Sequence, residues 1–282
     1  PADTSEVSPD RANTSLEEHY FDYLQYLMQP RDERVLFGLF SKATPVLDER
    51  RVSELRRYLR TFPDGAHRDR VLVMLGDAYR ESDALALALG AYLQQVIVYP
   101  ESPLQEKTQA TLLELMEKRS VLRPRKEEVA RYLSGGVLHE DYQRNYRRYL
   151  RFLYNLDIPE MSNWLLEAIH TYLERSPGAV NNDRLYLWIA STHESAEQYE
   201  QAVYVYTKLE YLYPDSPYLP KSFYRKSELY RDQLDKPEQA AEALRRLIQD
   251  YPTDSTEIRA NMLLGEIQSE NLDEPEAAVE TY

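Results

Sequence analysis

Apolar residues along this chain recur three and four positions apart, and nowhere do they alternate one by one as in a half-buried strand. From Arg31 onward the pattern therefore predicts helices of about a dozen residues or more, separated by short breaks. Ahead of them, Ser15 and Glu18 have the spacing of a capping box and predict a helix start. Residues 1–15, PADTSEVSPDRANTS, lack apolar periodicity and read as a flexible leader. The fold class is all-α.

The breaks recur at a fixed interval. They are Phe62-Pro63, Tyr99-Pro100, Ser176-Pro177, Tyr213-Pro214 and Tyr251-Pro252, with proline spacings of 37 (63 to 100), 77 (100 to 177), 37 (177 to 214) and 38 (214 to 252). The 77 is two periods, and Gly135-Gly136 falls near its middle as a substitute break. A period in this range predicts stacked helix pairs, each burying a face against its neighbours. Proline stops the preceding helix because it removes a donor and clashes with the turn before it. In YPESPLQ, Ser102 is placed to cap, Pro103 to occupy the first turn and Gln105 to complete a capping box; Ser216 and Pro217 repeat the first two roles.

Thirteen residues after the prolines stand Gly76, Leu113, Ala190, Ser227 and Gly265, mostly small, where a first helix must let its partner approach. The residues just before them are Leu75, Leu112, Ile189, Lys226 and Leu264, mostly of core type. Ala88, Ala202, Ala240 and Ala278 follow in the second helices, and four positions on stand Tyr92, Tyr206, Leu244 and Tyr282. The last two repeats carry a one-residue insertion, in LDKPEQAA and LDEPEAA.

LGDAY (75–79), Ala88, Tyr92 and Pro100 match in order the leucine, glycine, tyrosine, alanine, aromatic and proline positions of the tetratricopeptide repeat family, and residues 47–282 resemble that family. The period and the turns YPESP and YPDSPY further resemble bacterial envelope proteins of the BamD and CpoB types. The resemblance implies a right-handed α-solenoid of six or seven antiparallel helix pairs, period 37–38, whose first helices line a concave groove. It also implies a non-enzymatic scaffold for other proteins in the bacterial periplasm or at the inner face of the outer membrane. A cytoplasmic adaptor, a helical module of a larger enzyme and a self-assembling protein are the alternatives. The expected organisation is a leader 1–15, N-terminal helices with a degenerate repeat at 16–62 (RVLFGLF around Gly38), and repeats at 63–282 that diverge at 101–176 and end incomplete.

Composition narrows this. Forty-eight acidic residues against 34 basic ones give a net charge of −14, which argues against a nucleic-acid partner. Without cysteine there is no disulfide, thiolate metal site or cysteine nucleophile. No run approaches the roughly 20 apolar residues of a membrane helix, so membrane contact is expected only through an anchor upstream of Pro1. The five histidines, 19, 67, 139, 170 and 193, form no metal spacing; no metal or cofactor is expected, and no carboxylate pair stands out as catalytic.

The candidate chemistry is electrostatic. Seven positions after each proline stands a cation: Arg70, Lys107, Arg184, Lys221 and Arg259. Fourteen after stand Asp77, Glu114, Ser191, Glu228 and Glu266, two turns on and so on the same helix face. Two explanations fit: a salt ladder between repeats, or a stripe that holds the acidic side chains or C-terminal carboxylate of a partner peptide. Tyr224 and Arg231 share the face of Lys221 and are added contacts. In YQRNYRRYLRFLY, Arg144, Arg147, Arg148 and Arg151 make a secondary basic face, while Tyr142, Tyr146, Tyr149 and Leu153 make another that packs on the next helix. That basic face is either solvated or meets an anionic protein or lipid surface.

Overall fold

The computed structural model describes residues 9–29, 45–118, 120, 122–134, 141–252 and 255–281. Regular structure among them is entirely helical, with fourteen α-helices and two single-turn 3-10 segments. The chain divides into two compact units, Pro1–Trp164 and Leu165–Tyr282. Consecutive helices stack as pairs within each, as expected of an α-solenoid.

The first unit holds α1 (Pro9–Met28), α2 (Pro45–Thr61), α3 (Arg68–Glu81), α4 (Leu85–Val98), α5 (Gln105–Lys118), α6 (Lys126–Ser134), α7 (Tyr142–Leu156) and the start of α8 (Ser162–Arg175). Its centre is α4, LALALGAYLQQVIV, buried from Ala88 to Val98 because α3, α5 and α7 all pack on it. A helix apolar on every side is stable only where neighbours surround it. The second unit holds the rest of α8 with α9 (Asn182–Ser195), α10 (Tyr199–Leu212), α11 (Leu219–Asp232), α12 (Pro237–Asp250), α13 (Glu257–Glu270) and α14 (Pro275–Thr281).

Two kinds of joint alternate. Between the helices of a pair, the chain turns through one left-handed residue: Asp83 after α3, Glu197 after α9, Asp235 after α11 and Asp273 after α13, with φ of 62°, 58°, 51° and 54°. Between pairs, the residue five after the proline closes the preceding helix. Arg68 Nη1 donates to the carbonyls of Leu59 (2.5 Å) and Phe62 (2.8 Å), and Asn182 Nδ2 donates to that of Ser176 (2.7 Å). A donor there satisfies carbonyls that the helix end leaves free. The serine of the next joint then ties back one repeat: Ser102 Oγ donates to Asp69 Oδ2 (2.6 Å) and Ser216 Oγ to Asp183 Oδ2 (2.7 Å).

Several expectations are corrected. Helix α1 begins at Pro9, so residues 9–15 are helical instead of a flexible leader. Proline preorganises a first turn, and Ser15 lies inside the helix, with its Oγ 3.5 Å from His19 Nδ1, instead of capping it. Ser102 and Ser216 do accept from the backbone N–H two residues on, that of Leu104 and of Tyr218, both at 3.2 Å. Gln105 does not complete a capping box; its Nε2 donates to the Val96 carbonyl at 3.0 Å, the end of α4 being the nearer unsatisfied acceptor. The degenerate repeat around Gly38 and the break at Gly135-Gly136 lie outside the described residues.

Candidate partner-binding face

In the second unit the first helices α9, α11 and α13 touch one another directly. Arg225 on α11 ion-pairs with Glu194 on α9, Arg231 on α11 pairs with Glu266 on α13 (3.1 Å), and the Arg259 guanidinium of α13 lies over the Tyr224 ring of α11 at 5.2 Å. These contacts are the salt ladder that the charge pattern allowed, but built from different residues. Arg225 also meets Glu228 at 2.7 Å, and Glu194 accepts from the Tyr206 hydroxyl as well.

The register seven residues after the proline behaves otherwise. Arg184, Lys221 and Arg259 are all exposed, and none lies within 4.0 Å of a carboxylate among the described residues. The same holds for Arg70 and Lys107 in the first unit. The ladder reading of these five cations is therefore overturned: they begin their helices, while the carboxylates Glu194, Glu228 and Glu266 stand near the other end and take Arg225 and Arg231.

Aromatic rings hold three of the five. Arg184 lies over Trp188 at 5.4 Å, one turn along its own helix, Arg259 over Tyr224, and Arg70 over Phe21 at 6.0 Å. A guanidinium over a ring gains about 0.5–1 kcal/mol at an exposed site and keeps its N–H edge free. Such a side chain is partly ordered before any anion arrives, which lowers the entropy lost on binding.

Two predicted contacts are reassigned. Arg231 is held by Asp232 (2.5 Å) and Glu266, so its charge is already matched. Tyr224 serves as the platform under Arg259, and burial followed by the nearby Glu228 carboxylate raises its hydroxyl pKa above the ordinary range. Trp188 was absent from the sequence-based site, although its spacing of four from Arg184 is the signal that reveals it. On α7, Tyr146, Tyr149 and Leu153 are buried, as the pattern predicted, with Arg144 and Arg151 exposed and Arg147 and Arg148 half-buried. Asp141 caps this helix by accepting from the Arg144 N–H at 3.1 Å.

Among the described residues, no three His, Asp or Glu side chains group to hold a metal ion, and no helix is long and apolar enough to cross a membrane. A cavity of about 490 Å³ in the first unit is lined by Leu85, Leu87, Leu122 and Ile158, with Asp83 and Glu160 among its polar walls. Ser120 is the one side-chain hydroxyl among the described residues of its lining.

Residues 184–216 and 221–254 match the family model described as tetratricopeptide repeat. No curated protein matches the chain. Among solved structures, the crystal structure of MamA protein is similar at 14% identity, covering 76% of this chain and 88% of that one, with a TM-score of 0.38. The structure of Naa15/Naa10 bound to HypK-THB is similar at 15% identity, covering 95% and 44%, with a TM-score of 0.38. The assembly chaperone of RpL4 (Acl4) is similar at 16% identity, covering 94% and 99%, with a TM-score of 0.31.

Proposed function

We propose that this chain is a non-enzymatic scaffold that binds an acidic segment of another protein along α9, α11 and α13. The observation that carries the reading is the sorting of cations on these helices: Arg225 and Arg231 are spent on neighbouring carboxylates, whereas Arg184, Lys221 and Arg259 stand exposed and unmatched in one repeated register. In a chain of net charge −14, unmatched cations at the same place in the first helices of three successive pairs form a local site for anions. The tetratricopeptide match over 184–216 and 221–254 supports the same reading, because repeats of stacked helix pairs present extended surfaces to partners. The partner feature is a run of Asp and Glu side chains, or a C-terminal carboxylate, spaced to meet successive helices.

The test is a titration of a synthetic acidic peptide, with free and with amidated C-terminus, against the wild-type chain and Arg184→Glu/Lys221→Glu. Reversal of two charges is expected to weaken binding by at least about tenfold, since each charge-assisted hydrogen bond contributes about 1.5–3 kcal/mol, with helical content unchanged. Equal binding by wild type and the reversed variant rejects the site. We also infer a bacterial envelope setting, which the likeness of the YPESP and YPDSPY joints to envelope proteins supports. Fractionation of the native host tests it, and recovery in the cytoplasm alone overturns it.

A further inference from the structure

The first unit carries a basic island of its own. The 3-10 turn Arg123–Arg125 with α6 and α7 holds eight Arg and Lys (123, 125, 126, 131, 144, 147, 148 and 151) against only two acidic residues, Glu127 and Glu128. Between α6 and α7 lies a pocket of about 270 Å³ lined by Glu128, Arg131, Tyr132, Arg151, Phe152 and Asn155. Its floor is fixed: the Tyr132 and Phe152 rings stack at 4.0 Å, Arg148 lies over Tyr132 at 5.4 Å, and the Tyr132 hydroxyl donates to the Arg148 carbonyl at 3.2 Å. Glu128, the one carboxylate among the described residues of the wall, is matched by Arg125 Nη1 at 3.3 Å. Arg131 and Arg151 are exposed, and neither meets a carboxylate among the described residues.

We propose that this pocket binds a phosphate monoester, with Arg131 and Arg151 as its two clamps and the Asn155 amide as a further donor. Arg131 and Arg151 come from different helices, α6 and α7, and both line this one small pocket, so two guanidinium side chains are available to a single anion there. A carboxylate is satisfied by a single fork; a dianionic phosphoryl group has three terminal oxygens and accepts from both. The stacked Tyr132 and Phe152 rings give the pocket an apolar wall beside these cations. A pocket of this volume takes a headgroup and not a nucleic-acid strand, and it is separate in sequence and helices from the stripe on α9, α11 and α13.

The same chemistry occurs on a soluble ester and on a lipid headgroup, and two probes separate them: sn-glycerol 3-phosphate by calorimetry, and phosphatidylcholine vesicles with or without phosphatidic acid by sedimentation. Saturable binding to either supports the site, the first assigning a soluble ester and the second a membrane lipid. Arg131→Ala and Arg151→Ala should each weaken it about tenfold or more, with the melting temperature checked for each variant. Arg131→Lys/Arg151→Lys keeps the charge but loses the forks, so it should bind more weakly than wild type even if the alanine variants do not fold. The proposal is overturned if neither probe binds, if the lysine variant binds as tightly as wild type, or if acetate at equal ionic strength binds as well as the ester.

Discussion

Lys226 on α11 ion-pairs with Glu210 on α10 where the repeat pattern calls for two apolar residues. Both side chains are at most 10% exposed. The positions equivalent to Lys226 are Leu75, Leu112, Ile189 and Leu264, and those equivalent to Glu210, eight after the small alanine, are Val96 and Ile248. Arg246 also reaches Glu210 at 3.4 Å, and the Lys226 ammonium lies over Phe223 at 5.0 Å. Removing one partner of a buried pair leaves an uncompensated charge, whereas replacing both with packed apolar residues is often neutral or stabilising. Glu210→Val alone is therefore expected to cost about 3–5 kcal/mol, and Lys226→Leu/Glu210→Val to return to within about 1 kcal/mol of wild type or above it. Urea denaturation of wild type, Glu210→Val and the double variant measures this, and a double variant as unstable as Glu210→Val refutes it.

A second prediction concerns close approach inside the first repeat. A Cβ on Gly76 would fall 2.6 Å from Cδ1 of the Tyr92 ring, and that ring is fully buried with its hydroxyl donating to Asp77 Oδ1 at 2.7 Å. The ring is anchored at both ends, so it cannot yield. Gly76→Ala should cost about 1–3 kcal/mol, the range for overpacking a closed core. Tyr92→Leu in the Gly76→Ala background should recover part of the loss, and a double-mutant cycle reads the coupling. Strict additivity of the two changes would show that the contact does not limit packing.

The repeat was legible because its signals are local: proline stops, a small residue thirteen on, an alanine in the second helix. Side-chain charge pairing was less so. Arg231 and Arg259 look alike in sequence, yet one is matched by Glu266 and the other rests on Tyr224, because the outcome depends on which neighbouring helix residue comes opposite. Glu210 and Lys226 likewise gave no local signal as a pair, being 16 residues apart on two helices. The start of α1 was missed because the capping spacing of Ser15 and Glu18 competes with a proline six residues earlier, and the proline-led first turn prevailed.

Alkaline pH should unfold the chain cooperatively. The hydroxyls of Tyr58, Tyr92, Tyr149 and Tyr206 are pushed well above the ordinary value of about 10. Burial is the main cause in each; carboxylates of Glu17, Asp77 and Glu194 add to it for Tyr58, Tyr92 and Tyr206. Above pH 10 the unfolded chain releases protons that the folded chain keeps, so the folded state binds more protons and stability falls as pH rises. For Tyr149, which donates to the Gly90 carbonyl and accepts from Trp164, the loss is about 1.4 kcal/mol for each pH unit above 10. Phenolate absorbance at 295 nm should therefore rise together with the loss of far-UV circular dichroism. Full titration of all tyrosines near pH 10 with helicity intact would contradict it.

The left-handed joints yield a stabilising change. Asp83, Asp235 and Asp273 occupy that conformation at three of the four joints, and a short polar side chain tolerates it because it can bond locally to the backbone. At the fourth, Glu197 has φ 58°. Its longer side chain is less suited to such a local bond and bears more of the left-handed penalty, which for ordinary residues is roughly 1–2 kcal/mol. Glu197 has no ion pair among the described residues, so its replacement removes strain without removing a partner. Glu197→Asn is accordingly expected to stabilise the second unit by about 0.5–1 kcal/mol, and Glu197→Gly by less, because glycine adds entropy to the unfolded chain. Thermal denaturation of both variants beside wild type measures this. A lower melting temperature for the asparagine variant would mean that the joint is held by something other than local backbone preference.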